Sequence, residues 1–327
     1  MEKNRMYGFM IYEIFEKYSD EEHPLNSARI LEYLKQDYDV DMNRGTLRNH
    51  VNALSDFGIE IINSEHAADG KYLLDRRFEK SEVYLLSNAI HSAHFIPKKN
   101  ANELIDKLLE SQSIYLKKQF HNTVHIENPR KTNNRDFFYN IETILQAIDQ
   151  KIAISFSYMR YDIHKKLVKR NDKQHIVYPY YIVTENDNTY LLCKHIHHLE
   201  KIIHYRIDKI SDIQLLSDKK SPLLQESFDP YQYTSTKPFM FSGDIQRIIL
   251  RCHNSILDDI IDQFGHDLMP MPNKDHETFD VKVNSSAQGI IYFALQYTKF
   301  CEVLEPKEIR NEIKEILKAS LQQYEKS

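Results

Sequence analysis

The stretch IVYPYYIVTENDNTYLLCKHIHHLEKIIHYRIDKI, residues 176–210, decides the fold of the central part of this chain. Residues 177–183 and 189–193 are apolar runs rich in β-branched and aromatic side chains, and the polar turn 185–188 separates them. Over residues 202–207 apolar and polar side chains alternate, which is the period of a strand. One face carries Ile203, Tyr205 and Ile207, and the other carries His204, Arg206 and Asp208. We therefore predict three strands joined by turns, with one face in a core and the other offering a row of polar groups.

The same stretch resembles the WYL domain of bacterial transcription regulators. Three motifs carry the resemblance: Tyr178-Pro179, Tyr190-Leu191 and Tyr205-Arg206-Ile207-Asp208-Lys209. Thr189 stands where the family has its name-giving Trp, while Ile203 and Lys209 stand at positions of family arginines. The resemblance implies an SH3-like (Sm-like) β-barrel and a sensor for nucleic acid or nucleotide-like effectors.

The composition is that of an ordinary globular protein with two or three domains. The 327 residues are 41% apolar and 28% charged, with a net charge of −5 and a pI of 6.4. Only 7 residues are Gly, which disfavours Gly-rich phosphate loops and favours helices with short connections. Because the overall charge is weakly acidic, any contact with nucleic acid must come from a local basic patch.

The cysteines and the apolar runs indicate a cytoplasmic protein. Cys193, Cys252 and Cys301 lie far apart within apolar runs, which predicts buried free thiols rather than a disulfide framework. The beginning of the chain does not resemble a signal peptide. No apolar run approaches the ~20 residues that a membrane-spanning helix needs.

Residues 1–76 carry the pattern of three helices followed by a β-hairpin. Asn26 or Ser27 can cap the second helix, Asn43 can cap the third, and Gly58 can end it. Two strands, expected at 59–62 and 71–74, follow with a long loop between them. This order predicts a winged helix-turn-helix domain.

The third predicted helix, residues 44–57, has the two faces of a DNA recognition helix. Leu47, Val51 and Leu54 share an apolar face, and the opposite face is polar. Arg can read guanine edges and Asn adenine edges in the major groove, while Thr and Arg also hold phosphates. By itself the helix could equally be an ordinary one with a solvated polar face, but the elements around it favour DNA binding. The predicted DNA-binding residues are Arg44, Thr46, Arg48, Asn49 and Asn52 of this helix and Lys71 of the wing.

Residues 77–134 predict a helical connector. Ser81 can begin a helix over 82–94, and a second helix is expected over 100–120. This region either dimerises and transmits a signal or is a passive spacer. His121 and His125 have a spacing that suits a metal on a helix, but no third ligand is obvious, so no metal site is predicted.

The second half of the chain predicts two further domains. Residues 135–217 read as one helix and about five strands, and this suggests a small bent barrel. After a linker at 218–243, residues 244–327 alternate in the order β-α-β-β-α-β-α, which fits a ferredoxin-like unit. This segment also resembles the C-terminal extension that accompanies WYL domains, through Phe239-Met240-Phe241-x-Gly243, Asp262-x-Phe264-Gly265 and Leu304-Glu305-Pro306. The predicted fold is therefore α+β and multidomain: winged helix-turn-helix, helical connector, SH3-like (Sm-like) WYL barrel and ferredoxin-like C-terminal extension.

The polar face of the strand at 202–207 predicts an anion site. Arg offers a planar fork for phosphate, and Tyr and His can stack on bases. In the alternative interpretation, Arg206 pairs with Asp208 or a neighbouring carboxylate and Tyr190 belongs to the core. The residues alone favour that alternative, and the resemblance favours an effector site. The predicted effector-binding residues are Tyr158, Tyr190, Lys194, His204, Arg206 and Lys209.

The remaining motifs do not indicate catalysis. The sequence has no Walker loop, no dinucleotide-binding glycine fingerprint, no HExxH and no Gly-x-Ser-x-Gly. The histidines at 195–198 with Cys193 match no compact zinc motif. We therefore predict a transcription regulator, not an enzyme, that binds operator DNA as a homodimer, needs no cofactor and senses a nucleotide or oligonucleotide. The alternatives are a nucleic-acid-processing enzyme with an accessory DNA-binding domain, a WYL unit that only mediates assembly, and a metal-responsive regulator.

Overall fold

The structure, a computed structural model, describes residues 6–65, 70–123, 131–222 and 228–325, apart from the side chains of 121–123 and 231. The chain divides into two compact units, Met1–Thr132 and Asn133–Ser327. Both units combine helices with antiparallel sheet, as the sequence predicts. The possible metal spacing at His121 and His125 lies outside the described side chains.

The first unit begins with three helices and a two-stranded antiparallel sheet. Their apolar stripes pack into one core around Ile11, Phe15, Leu34 and Leu47. Burial of these stripes, rather than helix propensity, stabilises helices of this length. The elements are α1 Tyr7–Tyr18, α2 Ser27–Tyr38, α3 Arg44–Asp56, β1 Ile61–Asn63 and β2 Lys71–Leu73.

Two asparagines begin α2 and α3 as the sequence predicts. The side chain of Asn26 accepts a hydrogen bond from the Arg29 amide at 3.0 Å, and that of Asn43 accepts one from the Thr46 amide at 2.8 Å. Such a cap typically contributes ~1 kcal/mol. Gly58 follows α3 with a φ of 100°, a conformation that residues with a side chain rarely adopt.

Two backbone hydrogen bonds between Leu25 and Lys71 fix the start of β2. Leu25 donates to the Lys71 carbonyl at 2.7 Å and accepts from the Lys71 amide at 2.9 Å. Gly70, with a φ of 121°, precedes this pair, and a Cβ there would lie 2.2 Å from the Leu25 carbonyl oxygen. Only glycine permits this approach, which holds the backbone of Lys71 beside the start of α2.

Three further helices complete the first unit, and two expectations for them are wrong. The helices are α4 Lys80–Ser92, α5 Lys98–Glu110 and α6 Ile114–Thr123. A capping box of Glu79 and Glu82 begins α4, so Ser81 is not its cap. The single helix expected over 100–120 is two helices, because Ser113 leaves the helical path and its hydroxyl accepts from the Leu116 amide at 3.1 Å.

Arg76 joins helices α1–α3 and the β1–β2 sheet to helices α4–α6 within the first unit. Its guanidinium donates to the Glu16 carbonyl at 3.0 Å and to the Ser19 carbonyl, both at the end of α1. It also donates to the Ser111 carbonyl at the end of α5, at 2.9 Å. Helix ends leave such carbonyls without partners and carry partial negative charge, which the partly buried guanidinium of Arg76 satisfies. Three more contacts cross this joint: Ser113 Oγ donates to Asp20 at 2.6 Å, Gln112 Nε2 donates to the Phe78 carbonyl at 2.9 Å, and the His23 and Tyr115 rings stack with centroids 3.6 Å apart.

The second unit begins with a helix and a six-stranded sheet. The sheet order is β4-β3-β5-β6-β7, and β8 pairs with β3. Because β3 has partners along both edges, Ser155 and Ser157 are buried as well as its apolar side chains. The elements are α7 Phe137–Gln150, β3 Ile152–Tyr161, β4 Leu167–Lys169, β5 His175–Glu185, β6 Asn188–His195, β7 His198–Arg206 and β8 Ile210–Lys220.

A four-stranded antiparallel sheet with helices forms the rest of the second unit. Its order is β10-β11-β9-β12, and its core contains Ile248, Leu250, Val281 and Ile290. The elements are α8 Pro230–Ser235, β9 Ile245–His253, α9 Leu257–Phe264, β10 Met271–Pro272, β11 Thr278–Ser286, α10 Ala287–Gln296, β12 Cys301–Glu305 and α11 Lys307–Glu325.

In residues 244–327 the sequence also predicts a strand at 268–271, a helix capped by Asn254 and a last helix with Pro306 in its first turn, and the structure corrects each of these. The strand expected at 268–271 is reduced to Met271–Pro272. A 3₁₀ turn, Asn254–Ile256, precedes α9, and the side chain of His253 rather than that of Asn254 caps this turn. Pro306 stands just before α11, where its carbonyl accepts from the Arg310 amide at 3.2 Å.

The segment expected to be a linker is largely packed. Strand β8 continues to Lys220, and Met240 is buried against the barrel strand that carries Tyr190. The Phe241 carbonyl accepts from Ser286 Oγ at 3.2 Å, and the Phe241 ring stacks on Tyr292. Residues 228–243 therefore contact both the barrel and the four-stranded sheet. Across the described ranges, no helix has the length and apolar character that crossing a membrane requires.

Candidate functional site

The α3 helix of the first unit presents a polar face to solvent. Arg44, Arg48, Asn49 and Asn52 are exposed, and Thr46 is partly buried. The opposite face is fixed in the core by Leu47 and Val51, both buried, so the polar face has a defined direction.

The two arginines of this face are available for external anions. Within the described residues no carboxylate lies within ion-pair distance of Arg44 or Arg48. The α3 helix thus carries two unpaired guanidiniums and two exposed amides in one direction, the combination that contacts phosphates and base edges. Lys71 of the wing is partly buried at the start of β2.

The six-stranded sheet of the second unit brings Tyr158, Tyr190 and Arg206 together. Tyr190 on β6 is the register partner of Arg206 on β7, so their side chains share one face of the sheet. The Tyr158 hydroxyl of β3 accepts from the Arg206 amide at 3.3 Å. Burial raises the pKa of Tyr158 most, and the guanidiniums of Arg206 and Arg170 act in the opposite direction.

Arg206 is already paired within the protein. Its Nε donates to Asp208 Oδ1 at 3.0 Å and its Nη2 donates to Oδ2 at 2.8 Å, a bidentate contact. Asp208 is only 2% exposed, whereas the side chain of Arg206 remains 36% exposed. The alternative pairing considered from the sequence is therefore present, and it leaves the outer edge of the guanidinium open to solvent.

Two more cations adjoin this pair. The Lys209 ammonium lies 3.4 Å from the centroid of the Tyr161 ring. Burial lowers the pKa of Lys209, Asp208 opposes this effect and the nearby Arg206 adds to it. The backbone amide of Arg170 donates to the Tyr158 carbonyl at 2.8 Å, and its side chain is exposed. Around Tyr158, the guanidiniums of Arg206 and Arg170 therefore meet the carboxylate of Asp208, and Lys209 adjoins the Arg206–Asp208 pair.

Sequence reasoning missed Arg170, His175 and Tyr205. His175 Nδ1 and the Tyr205 hydroxyl share a hydrogen bond of 2.9 Å, and the Tyr205 ring packs edge-on against Tyr158 with centroids 5.0 Å apart. His175 Nε2 is buried with no hydrogen-bond partner among the described residues. Burial lowers the pKa of His175, with His195 and Arg170 contributing. Only the basic run around 160–173 signals Arg170 in the sequence.

The His204 ring packs edge-on against Tyr190 with centroids 5.7 Å apart, but both of its nitrogens are occupied within the protein. Its Nδ1 lies 3.1 Å from the Tyr233 hydroxyl, and its Nε2 hydrogen-bonds to the Met240 carbonyl. Burial lowers the pKa of His204 to about 4, the Met240 carbonyl opposes this and Lys237 adds to it. His204 therefore attaches the segment 228–243 to the barrel.

Lys194 is separate from the cluster. It pairs with Tyr178 and stands four residues along β6 from Tyr190, a distance of about 13 Å along a strand. The His195 ring lies 5.6 Å from that of His197 and 5.8 Å from that of His198. No group of His, Cys, Asp or Glu in the described part of the chain is arranged to hold a metal ion.

A comparison with protein-family models matches the WYL domain to residues 139–215, the part of the chain that contains this cluster. The chain therefore carries a WYL domain, and the resemblance based on the three sequence motifs is confirmed.

Two solved structures are similar to the chain as a whole. Proteasome accessory factor B/C (PafBC) of Arthrobacter aurescens aligns with a TM-score of 0.30 and 15% identity, covering 97% of this chain and 49% of that one. A crystal structure of a CRISPR Cas-related protein aligns with a TM-score of 0.35 and 14% identity, covering 90% of this chain and 77% of that one. The chain thus spans about half the length of the PafBC chain. A comparison with curated proteins finds no match.

Proposed function

We propose that the protein is a DNA-binding transcription regulator of the cytoplasm whose WYL domain senses an anionic, nucleotide-like or oligonucleotide effector. The proposed domains are a winged helix-turn-helix at 1–76, a helical connector at 77–134, an SH3-like WYL barrel at 135–217 and a ferredoxin-like extension at 244–327. The observation that carries the DNA-binding part is the exposed, unpaired polar face of α3 on a small helical unit with a wing.

In this proposal α3 lies in the major groove of operator DNA. Arg48, Asn49 and Asn52 contact base edges, while Arg44, Thr46 and the wing residue Lys71 contact phosphates. A homodimer would bind two half-sites about 34–36 Å apart, one turn of the duplex.

The effector site proposed is the cluster around Tyr158. Its surplus of positive charge favours an anion, and the open edge of Arg206 with Lys209 and Arg170 can hold phosphate oxygens. Tyr158, which is partly buried, supplies aromatic surface beside that position, whereas Tyr190 is buried and supports the site from the core. We leave His204 and Lys194 out of this site, because His204 binds Met240 and Tyr233, and Lys194 stands far along the strand.

The DNA-binding part is tested with Arg48→Ala on the full chain. Binding to the DNA upstream of its own gene and to unrelated duplexes is measured by fluorescence anisotropy across a salt series. We expect Arg48→Ala to weaken specific binding by about 5- to 150-fold, the loss of about 1–3 kcal/mol expected for one good base contact. Lys99→Ala on the exposed side of α5 removes the same charge and should leave affinity unchanged. Absence of salt-dependent affinity for any duplex would contradict the proposal, because phosphate contacts release counterions.

The effector part is tested separately with a short single-stranded oligonucleotide. Arg170→Ala and Arg206→Ala should each lower its affinity, whereas Lys282→Ala in the four-stranded sheet should not. Equal affinities for all four proteins would place the effector site elsewhere and would leave the DNA-binding result unaffected.

A further inference from the structure

The four-stranded sheet of the second unit places two cysteines side by side. Cys252 on β9 and Cys301 on β12 are register partners although 49 residues separate them in the sequence. Their sulfur atoms are 3.7 Å apart, and the Cys252 thiol donates to the Cys301 sulfur. Both side chains are buried in the core of this sheet.

The backbone at this pair suits a disulfide. The next pair along the two strands is hydrogen-bonded, since the His253 amide donates to the Phe300 carbonyl at 2.8 Å. Cys252 and Cys301 therefore form a non-hydrogen-bonded pair, in which the Cα atoms lie about 4.5 Å apart. That separation is within the range of about 4.4–6.8 Å found in disulfides. Closing the bond requires the two sulfurs to move from 3.7 Å to about 2.05 Å.

An oxidant has a route to one of the two sulfurs. Cys301 lines a groove of about 560 Å³ between β12, α10 and α11, whose walls include Ala294, Ile313 and Leu317. Cys252, by contrast, is fully enclosed. Because Cys301 lines this groove and Cys252 is enclosed, the Cys301 sulfur is the attacking atom.

We propose that Cys252 and Cys301 form an oxidation site, at which hydrogen peroxide converts the two thiols into a reversible intramolecular disulfide. The Cys301 sulfur attacks one peroxide oxygen, an S–O bond forms, the O–O bond breaks, and hydroxide leaves as water with the thiol proton. The Cys252 sulfur then attacks the Cys301 sulfur. The S–S bond forms, the S–O bond breaks, and a second water leaves with the Cys252 proton. The thiols lose two electrons and the peroxide gains them.

The surroundings set the rate and the consequence of this reaction. The hydrogen bond to Cys301 and burial both raise the pKa of Cys252, so this thiol stays protonated at neutral pH and the pair responds to sustained rather than trace oxidant. The disulfide would link the interior strand β9 to the edge strand β12, which leads directly into α11. Oxidation would therefore stiffen the edge of the sheet where the groove opens.

The test uses the full-length folded chain, treated with hydrogen peroxide or with diamide and then unfolded and alkylated. Wild type should lose two of its three free thiols, and mass spectrometry without reduction should join the peptides of Cys252 and Cys301. Dithiothreitol should restore all three thiols. Cys193→Ser, which retains only the pair, should form the same cross-link, whereas Cys252→Ala and Cys301→Ala should form no intramolecular disulfide.

Three results would overturn the proposal. One is retention of all thiols under both oxidants by a chain that circular dichroism shows to be folded. Another is a cross-link that includes Cys193, and the third is a cross-link that appears only after unfolding in urea. If either alanine variant fails to fold, the comparison of wild type with Cys193→Ser decides the question.

Discussion

The imidazole of His204 is held neutral by its two partners. The Met240 carbonyl can only accept, so Nε2 carries the proton, and the single proton of the Tyr233 hydroxyl is shared between His204 Nδ1 and the Ile202 carbonyl, which lies 3.2 Å away. Charging this ring would place a cation in a buried cluster near Lys237. For this reason His204 titrates far below an exposed histidine.

A pH dependence of stability follows. The folded-state pKa of His204 is about 4, while an unfolded histidine has a pKa of about 6.5, so between these values the unfolded chain binds more protons. Stability is therefore full above about pH 6.5 and falls as the pH decreases towards 4, by about 2 kcal/mol at pH 5 for this residue. In urea unfolding, His204→Phe should have a lower free energy of unfolding than wild type at pH 7. The difference between the two free energies of unfolding should be about 2 kcal/mol smaller at pH 5. A gap that is the same at both pH values would show that His204 does not titrate in this way.

The carboxylate of Asp208 competes with any anion for Arg206. Asp208→Asn removes the internal charge, so we expect tighter binding of a single-stranded oligonucleotide and a steeper salt dependence. The same change should lower the free energy of unfolding by about 1–3 kcal/mol, because a buried charge-assisted contact is lost. Asp212→Asn is the matched control, since Asp212 is exposed and pairs with Lys169 at 3.4 Å. Unchanged affinity in Asp208→Asn would argue that the effector does not approach Arg206.

At the scale of single residues, the sequence predicts contacts between residues that are close along the chain but not contacts between distant residues. Arg206 pairs with Asp208, two positions away, and the sequence alone offers this pairing as the alternative to an effector site. The hydrogen bond between His204 and the Met240 carbonyl joins residues 36 positions apart, and Met240 belongs to a segment that the sequence predicts to be a linker. The alternation of side chains within the strand at 202–207 cannot predict a partner as distant in the sequence as Met240.

Among the elements, the contacts of Arg76 decide whether α1–α3 with the β1–β2 sheet and the helices α4–α6 unfold together. Arg76→Met would leave three helix-end carbonyls without their donor, and we expect a loss of about 3 kcal/mol in unfolding free energy. Hydrogen exchange should increase at the ends of α1 and α5 first. Arg77→Met is the control, because Arg77 is exposed and forms no hydrogen bond or ion pair within the described residues. If amide hydrogen exchange at these helix ends is the same in both variants, Arg76 does not hold α1 and α5 together.

Helix boundaries that depend on nearby residues are predicted by the sequence, and those that depend on distant contacts are not. Asn26 and Asn43 were predicted as caps because each bonds an amide three residues away. The break between α5 and α6 was missed because Ser113 carries no strong local stop signal. The hydroxyl of Ser113 is instead engaged with Asp20, 93 residues earlier in the chain.

At the scale of the whole molecule, each unit has its own core. The core of the first unit surrounds Phe15 and Leu34, and the second unit has separate cores in its two sheets. We expect residues 133–327 expressed alone to unfold cooperatively and to bind the oligonucleotide with the affinity of the full chain, but not to bind duplex operator. Loss of cooperative unfolding in this fragment, measured by circular dichroism, would show that the second unit depends on the first.

The packed segment 228–243 has a consequence for how such proteins diverge. Because Met240 is embedded against one sheet and Phe241 against the other, a recombination that exchanged only the C-terminal sheet would leave mismatched partners on both sides. Residues 133–325 should therefore be inherited as one cassette, while the first unit can be replaced at the boundary after Thr132. Chimeras built with their junction at that boundary are expected to fold, and those joined at residue 243 are expected to aggregate.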